Sequence, residues 1–271
     1  MGNFFSRLST LVAERNSLLC IGLDSDIQRL HSCCRSEPNP QLFFNRQIIE
    51  ATADLVCAYK INLAFYESEG ARGWEALEKT RALIPSHIPV IGDAKRADIG
   101  NTSRHYARAL FDILGFDAIT VNPYMGSDSL LPFFEYKEKG VFVLCLTSNP
   151  GAAEFQIPNN LYLTVARRCR TWHTTYGNIG MVTGAPYPGQ LAAIREVFPE
   201  GWFLVPGVGA QGGDLKAVIR AGLRHEDAAG LIINVSRSVI FPTQENDFAT
   251  PARHSAEETV SMIRNSKGAV S

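Results

Sequence analysis

The sequence predicts an α/β fold, a single-domain (β/α)8 barrel of the TIM type spanning residues 1–271, and three observations carry that prediction. Eight apolar runs of strand length alternate with segments of helical periodicity along the whole chain. This order calls for parallel strands joined by right-handed crossovers. Eight such units in a chain of 271 residues is the count a closed barrel needs. A doubly wound open sheet is the alternative, but no Gly-x-Gly-x-x-Gly follows the first apolar run.

The first run, residues 18–23, ends at Asp24. Helical spacing over 39–53 leads to a second strand at 55–59, which ends near Lys60 and Asn62. A helix is expected over 67–83, closed by Pro85, and a third strand over 90–95. Tyr106, Ala109, Leu110, Ile113 and Leu114 then fall on one helical face. Strands four (118–121) and five (141–146) follow, then a helix over 161–176 and a sixth strand at 180–183. A helix at 190–197 precedes strand seven (202–205), and one at 214–221 precedes strand eight (230–235). Ser255, with Glu258 three residues on, reads as a capping-box start for a last helix through Ile263. The long loops are 29–39, 149–160 and 242–254; two of them follow strand ends, where they could close over a ligand.

Composition removes several function classes. A hydrophobic content of 45% and a charged content of 20% suit a globular protein with ample core. The formal net charge of −1 gives no general attraction to nucleic acid or to an anionic membrane. No apolar run reaches transmembrane length, and the start lacks a charged-then-apolar signal region, so a cytoplasmic location is expected. Cys20, Cys57 and Cys145 sit inside apolar runs and are expected to be buried thiols. With no CxxC pair, neither a disulfide framework nor a zinc site is supported.

The densest chemistry lies in Ile91-Gly-Asp-Ala-Lys-Arg-Ala-Asp-Ile-Gly-Asn-Thr102. Strand alternation would put Asp93 and Lys95 on the same face as Ile91. Charges on the buried side of a strand are costly unless paired, so coupled carboxylates and an ammonium there indicate a site. Other polar residues stand at successive strand ends, where barrels gather function: Asp24, Lys60, Ser148, Gln211 and Arg237. Gly207-Val-Gly-Ala-Gln-Gly-Gly213 is glycine-dense, so its backbone can approach an anion, and Arg237 can hold a phosphate bidentately.

Asp93-Ala-Lys-Arg-Ala-Asp98-Ile-Gly-Asn-Thr102 resembles the Asp-x-Lys-x-x-Asp-Ile-x-x-Thr signature of the orotidine 5′-phosphate decarboxylase family. Tyr59-Lys60-Ile-Asn62, Ser148-Asn-Pro-Gly151, Pro206-Gly-Val-Gly-Ala-Gln211 and Asn234-Val-Ser-Arg237 are similar to the other family blocks, in order, with wording like that of its longer bacterial branch. The resemblance implies conversion of orotidine 5′-monophosphate to UMP without cofactor or metal, in a homodimer. It makes Lys95 the proton donor to C6 and sets Asp93 beside the departing carboxylate. Asp24 and Lys60 would hold ribose hydroxyls, Ser148 the pyrimidine, and Gln211 and Arg237 the phosphate. Asp98, Ile99 and Thr102 would reach into the partner's site.

These roles suit the chemistry. Loss of carbon dioxide from C6 leaves a vinylic carbanion that the ring delocalises poorly, and no motif suggests a pyridoxal or thiamine electron sink. A fixed ammonium beside C6 stabilises that charge and then supplies the proton. Two readings compete. Aldolases and decarboxylases of hexulose or gulonate phosphates share Asp-x-Lys-x-x-Asp but use magnesium and an acidic residue near the end of strand two, where Lys60 stands here and Glu67 follows seven residues later. A nucleotide-binding barrel without catalysis would be attractive had Lys95 or either aspartate been replaced. Two features depart from the family pattern: Pro186 in Gly184-Ala-Pro-Tyr-Pro188, and Ser236 where shorter relatives have glycine.

Overall fold

The computed structural model describes residues 2–208, 213–224, 226–243 and 245–268. Among these, eight strands close a parallel barrel in chain order: β1 Leu19–Gly22, β2 Ala58–Asn62, β3 Val90–Arg96, β4 Ala118–Val121, β5 Gly140–Leu146, β6 Ile179–Thr183, β7 Phe203–Pro206 and β8 Leu231–Val235. Both faces of each strand are covered, by the barrel interior and by the outer helices, which is why the strands read as unbroken apolar runs. All residues of β1, β4, β6 and β8 are buried. Closure comes from β1 pairing with β8 through Leu19↔Ile233, Cys20↔Asn234 and Ile21↔Val235.

The N-terminal end of the barrel is plugged by a helix that the strand pattern does not announce, Phe4–Arg15. Asn3 caps it, its side chain accepting the Ser6 N–H at 3.0 Å. Phe4 packs edge-on against Phe142 with ring centres 5.9 Å apart, and Phe5 stacks on Trp202 at 6.3 Å. Phe4 comes so close to β5 that a Cβ on Gly140 would lie 2.5 Å from its ring. At the same end the Arg195 guanidinium donates to the carbonyls of Phe198, Pro199, Gly201, Gly222 and Gly230, tying together the entries to β7 and β8. With this end sealed by structure, the opposite end is left for chemistry.

Three local expectations need correction. The helix expected over 67–83 is two helices, Ala64–Glu67 and Gly70–Leu83, because Gly70 at φ +59° breaks the helical path. After β3, the helix Gly100–Arg108 runs into a π-turn at Ala109–Ile113. The buried face is Ser103, Ala107, Leu110 and Phe111, rotated from the expected stripe, so that Tyr106 and Ile113 are exposed. The final helix is Ala249–Gly268, so Ser255 is an interior residue whose carbonyl accepts the Thr259 hydroxyl at 2.8 Å. Pro251 falls in its first turn, where a missing N–H costs nothing. The six cysteines are free thiols, with Cys20, Cys57 and Cys145 buried. Among the described residues no helix is long and apolar enough to cross a membrane.

Candidate active site

Polar side chains from the C-terminal ends of the strands converge on a cavity of about 530 Å³. Asp24 after β1, Lys60 of β2, Asp93 and Lys95 of β3, Ser148 after β5 and Arg237 after β8 all line it. Gln211 lies outside the described residues. Asp98, Ile99 and Thr102 do not line this cavity: they sit past the end of β3, with Ile99 63% exposed.

The charged groups form an alternating chain. Lys60 Nζ lies 3.3 Å from Asp24 Oδ1 and 3.2 Å from Asp93 Oδ2, and Lys95 Nζ lies 2.7 Å from Asp93 Oδ1. The Lys60 side chain is only 5% exposed, whereas that of Lys95 is 48% exposed and free to meet a ligand. Burial alone would lower the pKa of Lys60, but the Asp24 and Asp93 carboxylates outweigh it and hold the ammonium above the usual lysine range. Burial likewise pushes Asp93 up, and the ammonium groups of Lys60 and Lys95 with the Thr120 hydroxyl overcome it, keeping the carboxyl well below the usual range. Lys60 and Asp93 are thus each held in the charged form by their neighbours.

Asp93 and Lys95 meet, but not by simple alternation. Between the pairs Gly92↔Ile119 and Arg96↔Val121, β3 carries more residues than β4, and Lys95 takes φ +48°. This bulge re-aims the lysine. Thr120 locks it from β4: its Oγ1 accepts the Lys95 N–H at 3.0 Å and donates to Asp93 Oδ1 at 2.8 Å. Thr120 escapes a reading of the sequence because it lies inside an apolar run. Ser148 is fixed from both sides. Thr147 N–H donates to Gln156 Oε1 at 2.7 Å, and Gly184 lies so close that a Cβ would be 2.7 Å from Ser148 Cα. Pro186 follows Ala185, whose N–H donates to the Pro206 carbonyl, and does not line the cavity.

Another side of the cavity carries the residues expected to meet an anion. Gly207 has φ +96°, and Arg237 opens a helical turn with its side chain exposed. The Ser236 side chain leaves the wall open, because its hydroxyl turns back to donate to the Gly22 carbonyl at 3.0 Å. Asn234 Oδ1, also at the cavity, is buried and has no hydrogen-bond partner among the described residues.

The array of Asp24, Lys60 and Asp93 makes a stability prediction. Asp93, depressed, contributes stability that is present above the ordinary aspartate range of about 3.9 and is lost as pH falls. Lys60, elevated, contributes stability that is present below about 10.4 and is lost only as pH rises past its folded value. Lys60→Met removes the cation shared by the part-buried Asp24 and Asp93 carboxylates, leaving Asp93 only Lys95, and is expected to cost about 3–5 kcal/mol at pH 7. The deficit should narrow as pH drops through the aspartate range. Urea unfolding at pH 7 and at about pH 3.5 checks this, and an equal deficit at both would contradict it.

Comparison with known proteins places this geometry. Residues 17–246 match the family model described as orotidine 5′-phosphate decarboxylase / HUMPS family. An orotidine 5′-phosphate decarboxylase of Thermomicrobium roseum is 51% identical over 271 residues, covering 97% of this chain and 96% of that protein. The structure of Leishmania donovani OMP decarboxylase superposes with a TM-score of 0.82 at 42% identity, over 97% of this chain and 99% of that one. Leishmania donovani UMP synthase gives a TM-score of 0.84 at 43% identity, with 97% of this chain covering 57% of that longer one. The matched residues span every strand that supplies the cavity, and the chain belongs to the orotidine 5′-phosphate decarboxylase family.

Proposed function

We propose that the protein converts orotidine 5′-monophosphate to UMP, the last step of de novo pyrimidine nucleotide synthesis, and that Lys95 protonates C6. The observation that carries this reading is the chain Asp24–Lys60–Asp93–Lys95, with an accessible ammonium at its end and an arginine wall across the cavity. Asp93 lies beside the departing carboxylate, where the two negative charges also oppose each other in the ground state. Lys95 answers the negative charge that develops at C6 as carbon dioxide leaves, then gives up its proton there. Asp24 and Lys60 hold the ribose, Ser148 the pyrimidine, and Arg237 with Gln211 the phosphate. Phosphate binding, remote from C6, supplies energy for ordering the site around the ring.

The dimer belongs to this reading. Asp98, Ile99 and Thr102 stand outside their own cavity and act in the site of a second copy. The Asp98 backbone is held firmly enough for such a reach. Its N–H donates to the Ser103 hydroxyl at 3.0 Å, and that hydroxyl lies 2.7 Å from its carbonyl oxygen.

The magnesium-dependent rival loses support at Glu67, which pairs with Arg96 and does not line the cavity. The test is loss of orotidine 5′-monophosphate absorbance in metal-free buffer. Full turnover in EDTA is the expected result. Activity that vanishes in EDTA and returns with magnesium would sink the metal-free reading.

A further inference from the structure

The left-handed backbone at Lys95 is held from outside the cavity as well as from within. A residue with a side chain enters this region at a cost and stays there only where its surroundings over-determine it. Thr120 supplies one restraint from inside the barrel. Arg96 supplies the others. Its guanidinium donates from Nη1 to the Ala94 carbonyl at 2.8 Å and pairs through Nη2 with Glu67, and it lies 5.5 Å from the centre of the Tyr106 ring. The Ala94 carbonyl belongs to the peptide that enters Lys95, so a hydrogen bond to it fixes which way that peptide faces. Glu67 closes the helix Ala64–Glu67 that follows β2, the strand carrying Lys60. The contact therefore ties the two lysine-bearing strands together beyond the reach of the substrate. Neither Arg96 nor Glu67 lines the cavity.

We propose that Arg96, anchored by Glu67, is a positioning residue that sets the aim of the Lys95 ammonium. The proposal rests on the reading of Lys95 as the proton donor. Without Arg96 the peptide between Ala94 and Lys95 can flip, Lys95 leaves the left-handed region, and its ammonium swings off Asp93 and away from C6. Groups that bind ribose and phosphate are untouched by that flip, so the loss falls on the chemical step.

The test compares Arg96→Ala, Arg96→Lys, Glu67→Gln and Lys95→Ala in the full-length protein. Arg96→Ala is expected to lose on the order of 10²-fold in kcat, the scale of an ångström-sized misplacement, with KM changed by less than about threefold. Exchange of the UMP C6 hydrogen with deuterated solvent should fall in parallel with kcat. Guanidinium chloride at low millimolar concentration should restore part of the Arg96→Ala activity, while methylammonium should not. Arg96→Lys should recover little, because one ammonium cannot bond to the Ala94 carbonyl and Glu67 in the geometry of a planar fork. Glu67→Gln keeps the size of the anchor and should lose about tenfold in kcat. It decides the matter if Arg96→Ala does not fold.

Wild-type kcat in Arg96→Ala, or in folded Glu67→Gln when Arg96→Ala is unfolded, would overturn the proposal. So would a loss that tracks melting temperature and that guanidinium does not rescue. Full activity in Arg96→Ala beside an inactive Lys95→Ala removes the positioning role alone. Activity in Lys95→Ala removes the proton-donor reading itself.

Discussion

Lys95→Ala is expected to lose on the order of 10⁴-fold or more in kcat, the combined scale of a lost general acid and a lost electrostatic partner. Two lysines line the cavity, and the geometry distinguishes their duties. Lys60 is enclosed between two carboxylates with 5% of its side chain exposed, so its charge is already committed. Lys95 touches Asp93 alone of the two and presents the rest of its ammonium to the cavity. The electron pair left at C6 lies in the plane of the ring, where conjugation cannot spread it, so a nearby fixed cation is worth most there. Alanine removes both the charge and the proton while leaving Asp24, Lys60, Ser148 and Arg237 in place. Binding of UMP, measured by calorimetry, should persist. Retention of full activity would refute the assignment of Lys95.

Mixing inactive Lys95→Ala and Asp98→Ala chains is expected to regenerate activity from two dead preparations. In the proposed two-fold dimer each cavity would combine Lys95 of one chain with Asp98 of the other. The heterodimer then holds one cavity with both defects and one with neither. Random exchange at equal amounts should return about a quarter of wild-type activity, since half the dimers are mixed and each has one good site. If Asp98 served its own cavity instead, every site in the mixture would carry a defect. Failure to recover activity after mass spectrometry has shown subunit exchange would count against an action across the interface.

The barrel is legible because strands covered on both faces must be apolar throughout, and β1, β4, β6 and β8 are buried along their whole length. Asp24, Lys60, Asp93, Lys95, Ser148 and Arg237 are legible as a set because a parallel barrel gathers the residues after its strands, whatever their distance in sequence. Other features leave weaker marks. The helix Phe4–Arg15 has Phe4, Phe5, Leu8, Leu11 and Val12 on one face, a pattern outside the strand–helix alternation of the barrel. Ser255 and Glu258 imitate a helix start because the spacing of a capping box also occurs inside helices. The bulge at Lys95 is hidden since it uses neither glycine nor asparagine, and tertiary contacts from Thr120 and Arg96 impose it. Thr120 itself is the kind of residue that single-chain patterns hide, a small polar group whose importance depends on which side chain stands opposite.

Closure through β1 and β8 has a consequence for the protein while it is being made. Synthesis delivers β1 more than two hundred residues before the strand that covers its free edge, at Leu19↔Ile233. Until then Leu19, Cys20 and Ile21 present an apolar edge open to pairing with another chain. The charged groups of the reaction end, Asp24, Lys60, Asp93 and Lys95, with Thr120, all come from the first four strands and their ends. Arg237, by contrast, emerges just behind β8. A nascent chain can therefore assemble the charged half of its site on an incomplete barrel, and the arrival of the final strand both hides the adhesive edge and brings the arginine into place.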